Sequence, residues 1–367
     1  MESYILRDRT ADSPVDYILF FIPGNPGLIS YYAPFLDSLS LLLSTSQNDN
    51  ADAALLGNLE TFEISGTSLA AFESGSTPAL SSQSRPPYGL EQQIEMVERR
   101  LNDVVNEVDS TNGRSSSSEQ GPPSKPAKVI LMGHSVGAFI SLEVLRRHQE
   151  AARAARRESR IGSAILLFPT ITHIAKSPSG ILLNSLLRVP HVPLVAGTLV
   201  RVLVFFIPTF VLYYLVRVVM RFPPHAALTT ANFIKAPIGV RQALHLAEQE
   251  MEMITEDRWD EDIWGWPENS TARNPDKTSP TKGPKMLLHF GTNDHWVSDY
   301  ARDEFIAMRG GKEEEDWKPQ ITIDQEGIPH GFCIHHSEQM ARKAQHFIEQ
   351  IIEHDKRTSS RARSLET

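Results

Sequence analysis

Cysteine is nearly absent from this chain of 367 residues: Cys333 stands alone, so no disulfide can close within it. Basic residues are outnumbered, with 36 Lys and Arg against 45 Asp and Glu and a net charge of −9. That balance argues against nucleic acid as a partner, because nucleic-acid binders present a basic face. The His, Cys and acidic residues lack metal-ligand spacing, and no glycine-rich loop of the phosphate-cradling kind occurs. Neither a metal nor a cofactor is therefore expected. Residues 1–17 carry charges throughout and hold no apolar stretch of the secretory-leader type. No internal repeat is visible. What is left is the composition of a soluble-type enzyme or binding protein, long enough to bury a sizeable core.

The chain alternates strand and helix patterns. Tyr17–Ile22 is a continuous apolar run, as expected of a strand buried on both faces. It ends in the rigid turn Pro23-Gly24-Asn25-Pro26-Gly27, and a helix is expected over Ile29–Leu43. A second strand is read at Leu59–Gly66 and an amphipathic helix over Tyr88–Val108, where Leu90, Ile94, Val97, Leu101 and Val104 recur at helical spacing. Residues 109–127 are rich in Ser and Pro and are expected to form a disordered insertion. Val129–Met132 then climbs into Gly133-His134-Ser135-Val136-Gly137, and a helix follows at once. Ala164–Phe168, Met286–Phe290 and Gln320–Ile323 read as further strands, with a last helix at Glu338–Glu353.

The interval between them is helical, first apolar and then acidic and Trp-rich. The layout is that of an α/β-hydrolase fold, a mostly parallel sheet with helices on both faces and a helical cap. Residues 1–168 and 283–354 make the two parts of the core, 169–282 the cap, and 355–367 a disordered basic tail.

A serine on a strained strand-to-helix turn carries its Oγ above the sheet edge. As a weak nucleophile it needs a general base, usually His, oriented by a carboxylate. Ser135 is the candidate nucleophile. Asp294, just past the strand Met286–Phe290, is the candidate acid, with Asp299 and Asp303 as competitors on the following helix. His330, in Ile328-Pro329-His330-Gly331-Phe332, is the candidate base, with His335 and His336 as competitors one turn later. His134 is expected to pack beneath the turn, and His295 to be structural. The oxyanion needs two backbone N–H donors: Val136 follows the nucleophile, and Asn25 is the best donor in its turn because Pro26 has no N–H.

These motifs, together with Phe168-Pro169-Thr170-Ile171, Ser177-Pro178-Ser179-Gly180 and Gly291-Thr292-Asn293-Asp294-His295-Trp296, resemble the lipid-droplet-associated hydrolase family in content and order. The resemblance implies a serine esterase or lipase acting on neutral-lipid esters, with Ser135, Asp294 and His330 as its triad. It implies sterol esters or acylglycerols as substrates. It also implies a place on the lipid-droplet surface, with the cytosolic face of the endoplasmic reticulum membrane as a second location. The competing readings are a droplet-organising protein with a vestigial site, and a thioesterase or small-ester esterase.

Residues 181–222 are the chain's most apolar segment. Its longest uncharged run, Val202–Val216, is shorter than the ~20 residues a spanning helix needs. Pro208 divides it, and Arg188, Arg201, Arg217 and Arg221 bracket the halves. Two short helices hinged at Pro208 and dipping into a phospholipid monolayer fit this pattern. A helix pair packed on the catalytic domain and a strained transmembrane span are the other two arrangements.

Overall fold

The computed structural model describes residues 3–7, 14–49, 60–72, 85–115, 126–265, 283–311 and 318–366. Seven strands form one sheet: β1 (Ser3–Arg7), β2 (Tyr17–Ile22), β3 (Phe62–Thr67), β4 (Lys128–His134), β5 (Ile161–Leu167), β6 (Lys285–Phe290) and β7 (Gln320–Ile323), in the order β1-β3-β2-β4-β5-β6-β7. Only β1 runs antiparallel, against β3. Every residue of β2 and β3 is buried, which is why β2 shows no polar alternation: both of its faces carry helices. The strand order reverses between β2 and β4, and in such sheets the crevice beyond the strand C-termini at that point is where ligands bind. The turn at residues 23–27 and Ser135 both lie there.

The helices are α1 (Ala33–Asp49), α2 (Leu90–Ser115), α3 (Val136–Ala154), α4 (Pro178–Leu187), α5 (Val192–Val204), α6 (Thr209–Val219), α7 (Pro224–Lys235), α8 (Gly239–Met253), α9 (Glu261–Trp264), α10 (Asp299–Arg309) and α11 (Ser337–Glu366). A short 3-10 turn, Ile29–Tyr31, precedes α1.

Two stretches expected to be disordered are partly helical. The helix read as ending at Val108 continues to Ser115, because its polar last turns have partners: buried Asn112 exchanges two hydrogen bonds with the Val15 backbone at 2.9 and 3.0 Å, and Asp109 takes both guanidinium nitrogens of Arg160. The rest of that expectation, residues 116–125, lies outside the described residues, while Pro126 and Ala127 lead into β4. At the other end α11 runs on through Glu366. Asp355, read as the start of the tail, accepts from Lys128 Nζ at 2.7 Å and Tyr17 Oη at 3.1 Å, tying the helix to the sheet. Strand β1 had no sequence signal beyond Tyr4-Ile5-Leu6 between Ser3 and Arg7.

The apolar segment folds as three helices rather than two. Pro208 separates α5 from α6 as expected, and a bend of 90° across residues 188–191 separates α4 from α5. Among the described residues no single helix is long and apolar enough to cross a membrane. The acidic, Trp-containing stretch after α8 packs on the core: Trp259 Nε1 donates to buried Glu143 of α3 at 2.9 Å, and its ring meets Phe139 edge-on.

Candidate active site

Ser135 sits between β4 and α3 with φ 55° and ψ −125°, a conformation that non-glycine residues rarely hold and that marks a strained elbow. The close approach around it excludes side chains. A Cβ on Gly137 would lie 2.2 Å from the Ile22 carbonyl oxygen, and one on Gly24 would lie 2.8 Å from Ser135 Cβ. The elbow and the turn after β2 are therefore packed backbone to backbone.

The structure brings the three sequence candidates together. Ser135 Oγ is 2.9 Å from His330 Nε2, and His330 Nδ1 is 2.7 Å from Asp294 Oδ2. All three are buried. With Nδ1–H donating to the carboxylate, Nε2 is left as an acceptor for the serine hydroxyl. Asp294 is itself fixed, because its Oδ1 accepts the Trp296 N–H at 2.8 Å. The competitors fall elsewhere: Asp299 and Asp303 pair with Arg302 on α10, and His335 and His336 touch neither Ser135 nor Asp294.

His134 lies beneath the elbow, as its position in the motif implied. Its Nε2–H donates to the His330 carbonyl at 2.9 Å, and its Nδ1 accepts from Tyr32 Oη at 2.7 Å. Tyr32 Oη in turn accepts the Gly24 N–H at 3.1 Å. Burial holds the His134 ring far below its usual pKa, with the neighbouring His330 adding to the effect, so it stays neutral and keeps both bonds. This chain links the turn after β2, the elbow and the His330 loop. Asp324 braces that loop from its other end, accepting the N–H groups of Glu326 and Ile328 at 3.1 and 2.8 Å. Neither Tyr32 nor Asp324 had a motif that marked it.

The backbone N–H groups of Asn25 and Val136 have no acceptor among the described residues. Val136 opens α3, where an N–H lacks an intrahelical partner. The Asn25 side chain is held by the cap: its Nδ2 donates to the Ala243 carbonyl at 3.0 Å and to Glu250 Oε1 at 2.9 Å. Both acceptors belong to α8. A cavity of about 490 Å³ opens over Ser135, walled by Leu183, Phe222, Ala243, Ala247 and Glu250 among others. Its lining is mostly apolar, as in sites that take an aliphatic or ring-bearing ligand. Among the described residues no cluster of His, Cys and acidic side chains could hold a metal.

Glu250 is the buried acid of that wall. Burial raises its pKa from 4.5 to about 7, with the Asn25 hydrogen bond acting against the rise. The folded state then holds a proton that the unfolded chain releases near 4.5. Its contribution to stability is complete below 4.5 and is lost as pH rises through 7, by on the order of 3 kcal/mol. Glu250→Gln, which keeps an acceptor for Asn25, is expected to raise the melting temperature above pH 7 and to leave it unchanged below 4.5. Thermal unfolding followed across that range checks this.

A family model described as lipid-droplet associated hydrolase matches residues 15–333. The lipid droplet-associated hydrolase of Gallus gallus is 24% identical over 339 residues, 91% of this chain and 85% of that protein. Its Homo sapiens counterpart is 25% identical over 342 residues, 92% and 86% of the two chains. Among solved structures, a peroxisomal α/β-hydrolase from Saccharomyces cerevisiae is similar with a TM-score of 0.51 at 12% identity, covering 99% of this chain and 88% of that one. A 2-hydroxy-6-oxo-6-phenylhexa-2,4-dienoate hydrolase from Rhodococcus has a TM-score of 0.50 at 12% identity, with 95% and 94% covered. At such identities the likeness is one of fold, and the fold is that of the α/β-hydrolases.

Proposed function

Because this chain belongs to the lipid-droplet-associated hydrolase family, we propose that it cleaves carboxylic esters of neutral lipids at a phospholipid-coated surface, with Ser135, His330 and Asp294 as its catalytic triad. The observation that carries the reading is the unbroken hydrogen-bond line from Ser135 Oγ through both His330 nitrogens to Asp294 Oδ2. In the reaction His330 Nε2 takes the hydroxyl proton as Ser135 attacks the ester carbonyl. The Asn25 and Val136 N–H groups hold the oxyanion. The imidazolium, stabilised by Asp294, then returns its proton to the leaving alcohol, and a water activated by the same ring releases the acid from the acyl-enzyme.

The surface is argued from the cap. Helices α4, α5 and α6 expose large apolar side chains along their whole length, among them Leu182 at 77%, Leu203 at 63% and Val218 at 74%. In water, a continuous patch of this kind marks a contact surface. Leu183 and Phe222, which wall the cavity, lie beside exposed Leu182 and Arg221, so an ester in a lipid layer would enter from that side without crossing water. Sterol esters and acylglycerols both suit such an entry. The droplet monolayer is the favoured surface, with the cytosolic face of the endoplasmic reticulum as the second.

A fluorophosphonate probe tests the enzyme reading directly. It is expected to phosphonylate Ser135, as mapped by peptide mass spectrometry. Absence of a Ser135 adduct would leave a surface protein with a vestigial site, and a substrate panel on a labelled protein separates neutral-lipid esters from thioesters and small esters.

A further inference from the structure

The charges of this chain are unevenly placed. It carries −9 overall, yet no Asp or Glu occurs between Glu158 and Glu248. That interval holds the whole of α4 to α7, including the exposed apolar face. Its ionised groups on the three apolar helices and their ends are Arg188, Arg201, Arg217 and Arg221, all exposed.

Their places are regular. Arg188 caps the C-terminus of α4, and Arg201 and Arg217 sit in the last turns of α5 and α6. Arg221 follows directly after α6. Arg201 is seven residues from exposed Leu194, and Arg217 seven from exposed Phe210, so each shares a helical flank with apolar side chains. Among the described residues none of the four has a carboxylate partner, and Arg217 donates only to the Phe222 carbonyl, at 3.0 Å. Several arginines elsewhere on this molecule are paired, among them Arg146 with Glu143 and Glu150, Arg160 with Asp109, Arg302 with Asp299, and Arg309 with Asp257.

We infer that the cap docks specifically on surfaces bearing anionic phospholipid, the apolar faces of α4 to α6 entering the acyl layer while the four arginines engage headgroup phosphates and acidic headgroups. The inference rests on the lipid-surface reading above and adds the chemistry of the surface. A long arginine stem can lie along the apolar layer with its guanidinium at headgroup level, where the planar fork matches phosphate oxygens. Each cation near an anionic surface adds to binding, and the sum falls off within a screening length. The acidic remainder of the chain is repelled by the same surface, so the field also sets which end of the molecule arrives first. Cations at helix C-termini also favour the helix dipole, and the experiment separates that local role from lipid binding.

The full chain is floated with vesicles of phosphatidylcholine, and with vesicles in which about one-third of that lipid is phosphatidylserine, a proportion that gives the strongly negative surface of an acidic leaflet. Wild type is expected to bind the acidic vesicles about six-hundredfold more tightly, four cations each contributing roughly fivefold, and to lose that preference at high salt. A variant carrying Arg188→Gln, Arg201→Gln, Arg217→Gln and Arg221→Gln should keep its fold, with only the small loss of melting temperature that the helix dipole implies, and its apolar binding to phosphatidylcholine while losing the preference. The matching four-lysine variant should retain it. Equal binding of wild type to both lipids, or a preference that survives in the glutamine variant, would overturn the inference and leave the apolar surface reading intact. Binding of wild type to neither would overturn both.

Discussion

Ser135→Ala is expected to lower kcat for ester hydrolysis by about a millionfold, the scale on which removal of a serine nucleophile acts. Nothing in the fold should change with it. The Cβ that packs against Gly24 is kept, and the φ of 55° is already borne by a residue with a side chain. The Asn25 and Val136 N–H groups and the cavity also remain, so substrate binding should survive and the residual rate should come from them alone. Steady-state kinetics on a soluble ester, with burst-phase measurement of the acyl-enzyme, reads both quantities. A variant that turned over substrate at even a hundredth of the wild-type rate would show that Ser135 is not the nucleophile.

Asp294→Asn is expected to cost about 10⁴ in kcat, the scale of losing the group that orients a catalytic histidine. The hydrogen bonds here say why the substitution cannot be rescued by rotating the amide. Oδ1 accepts the Trp296 N–H, and Oδ2 faces His330 Nδ1. An asparagine must give its single carbonyl oxygen to Trp296, which turns its NH₂ group toward His330. Nδ1 then has to accept, the ring proton moves to Nε2, and the nitrogen facing Ser135 becomes a donor. A ring in that tautomer cannot take the hydroxyl proton. KM and thermal stability should hardly move. A loss shared between KM and the melting temperature would instead point to a structural role.

Much of this was legible in the sequence because it depends on local rules. The strand–elbow–helix at Ser135 follows from β-formers, two glycines and a helical pattern in immediate succession. Asp294 and His330 were readable because both stand just past strand patterns, where this type of sheet presents its side chains. The three parallel strands around β4 announce themselves as apolar runs. What stayed hidden depends on partners distant in sequence. The final turns of α2 look like linker, and only the position of Val15 makes Asn112 a buried residue. Likewise Asp355 reads as the start of a polar tail until Tyr17 and Lys128 are placed beside it. Tyr32 and Glu250 support the site through His134 and Asn25, 102 and 225 residues away along the chain, while Asp324 acts locally on Glu326 and Ile328.

For the lipid esters proposed above, helix α8 bears on chain-length selection. Gln242 exchanges two hydrogen bonds with the Tyr88 backbone, at 2.7 and 2.8 Å, and two turns further on Glu250 holds Asn25. Bolted at both ends to the core, α8 is held in place when a bulky ligand arrives, whereas α5 and α6 rest chiefly on α7 and α8. Ala243 and Ala247, a turn apart, line the cavity from this helix, and for the lipid ester proposed above their small size would set how deep an acyl chain reaches before it meets backbone. For such a substrate the helix would act as a ruler, with two methyl groups as its gradations.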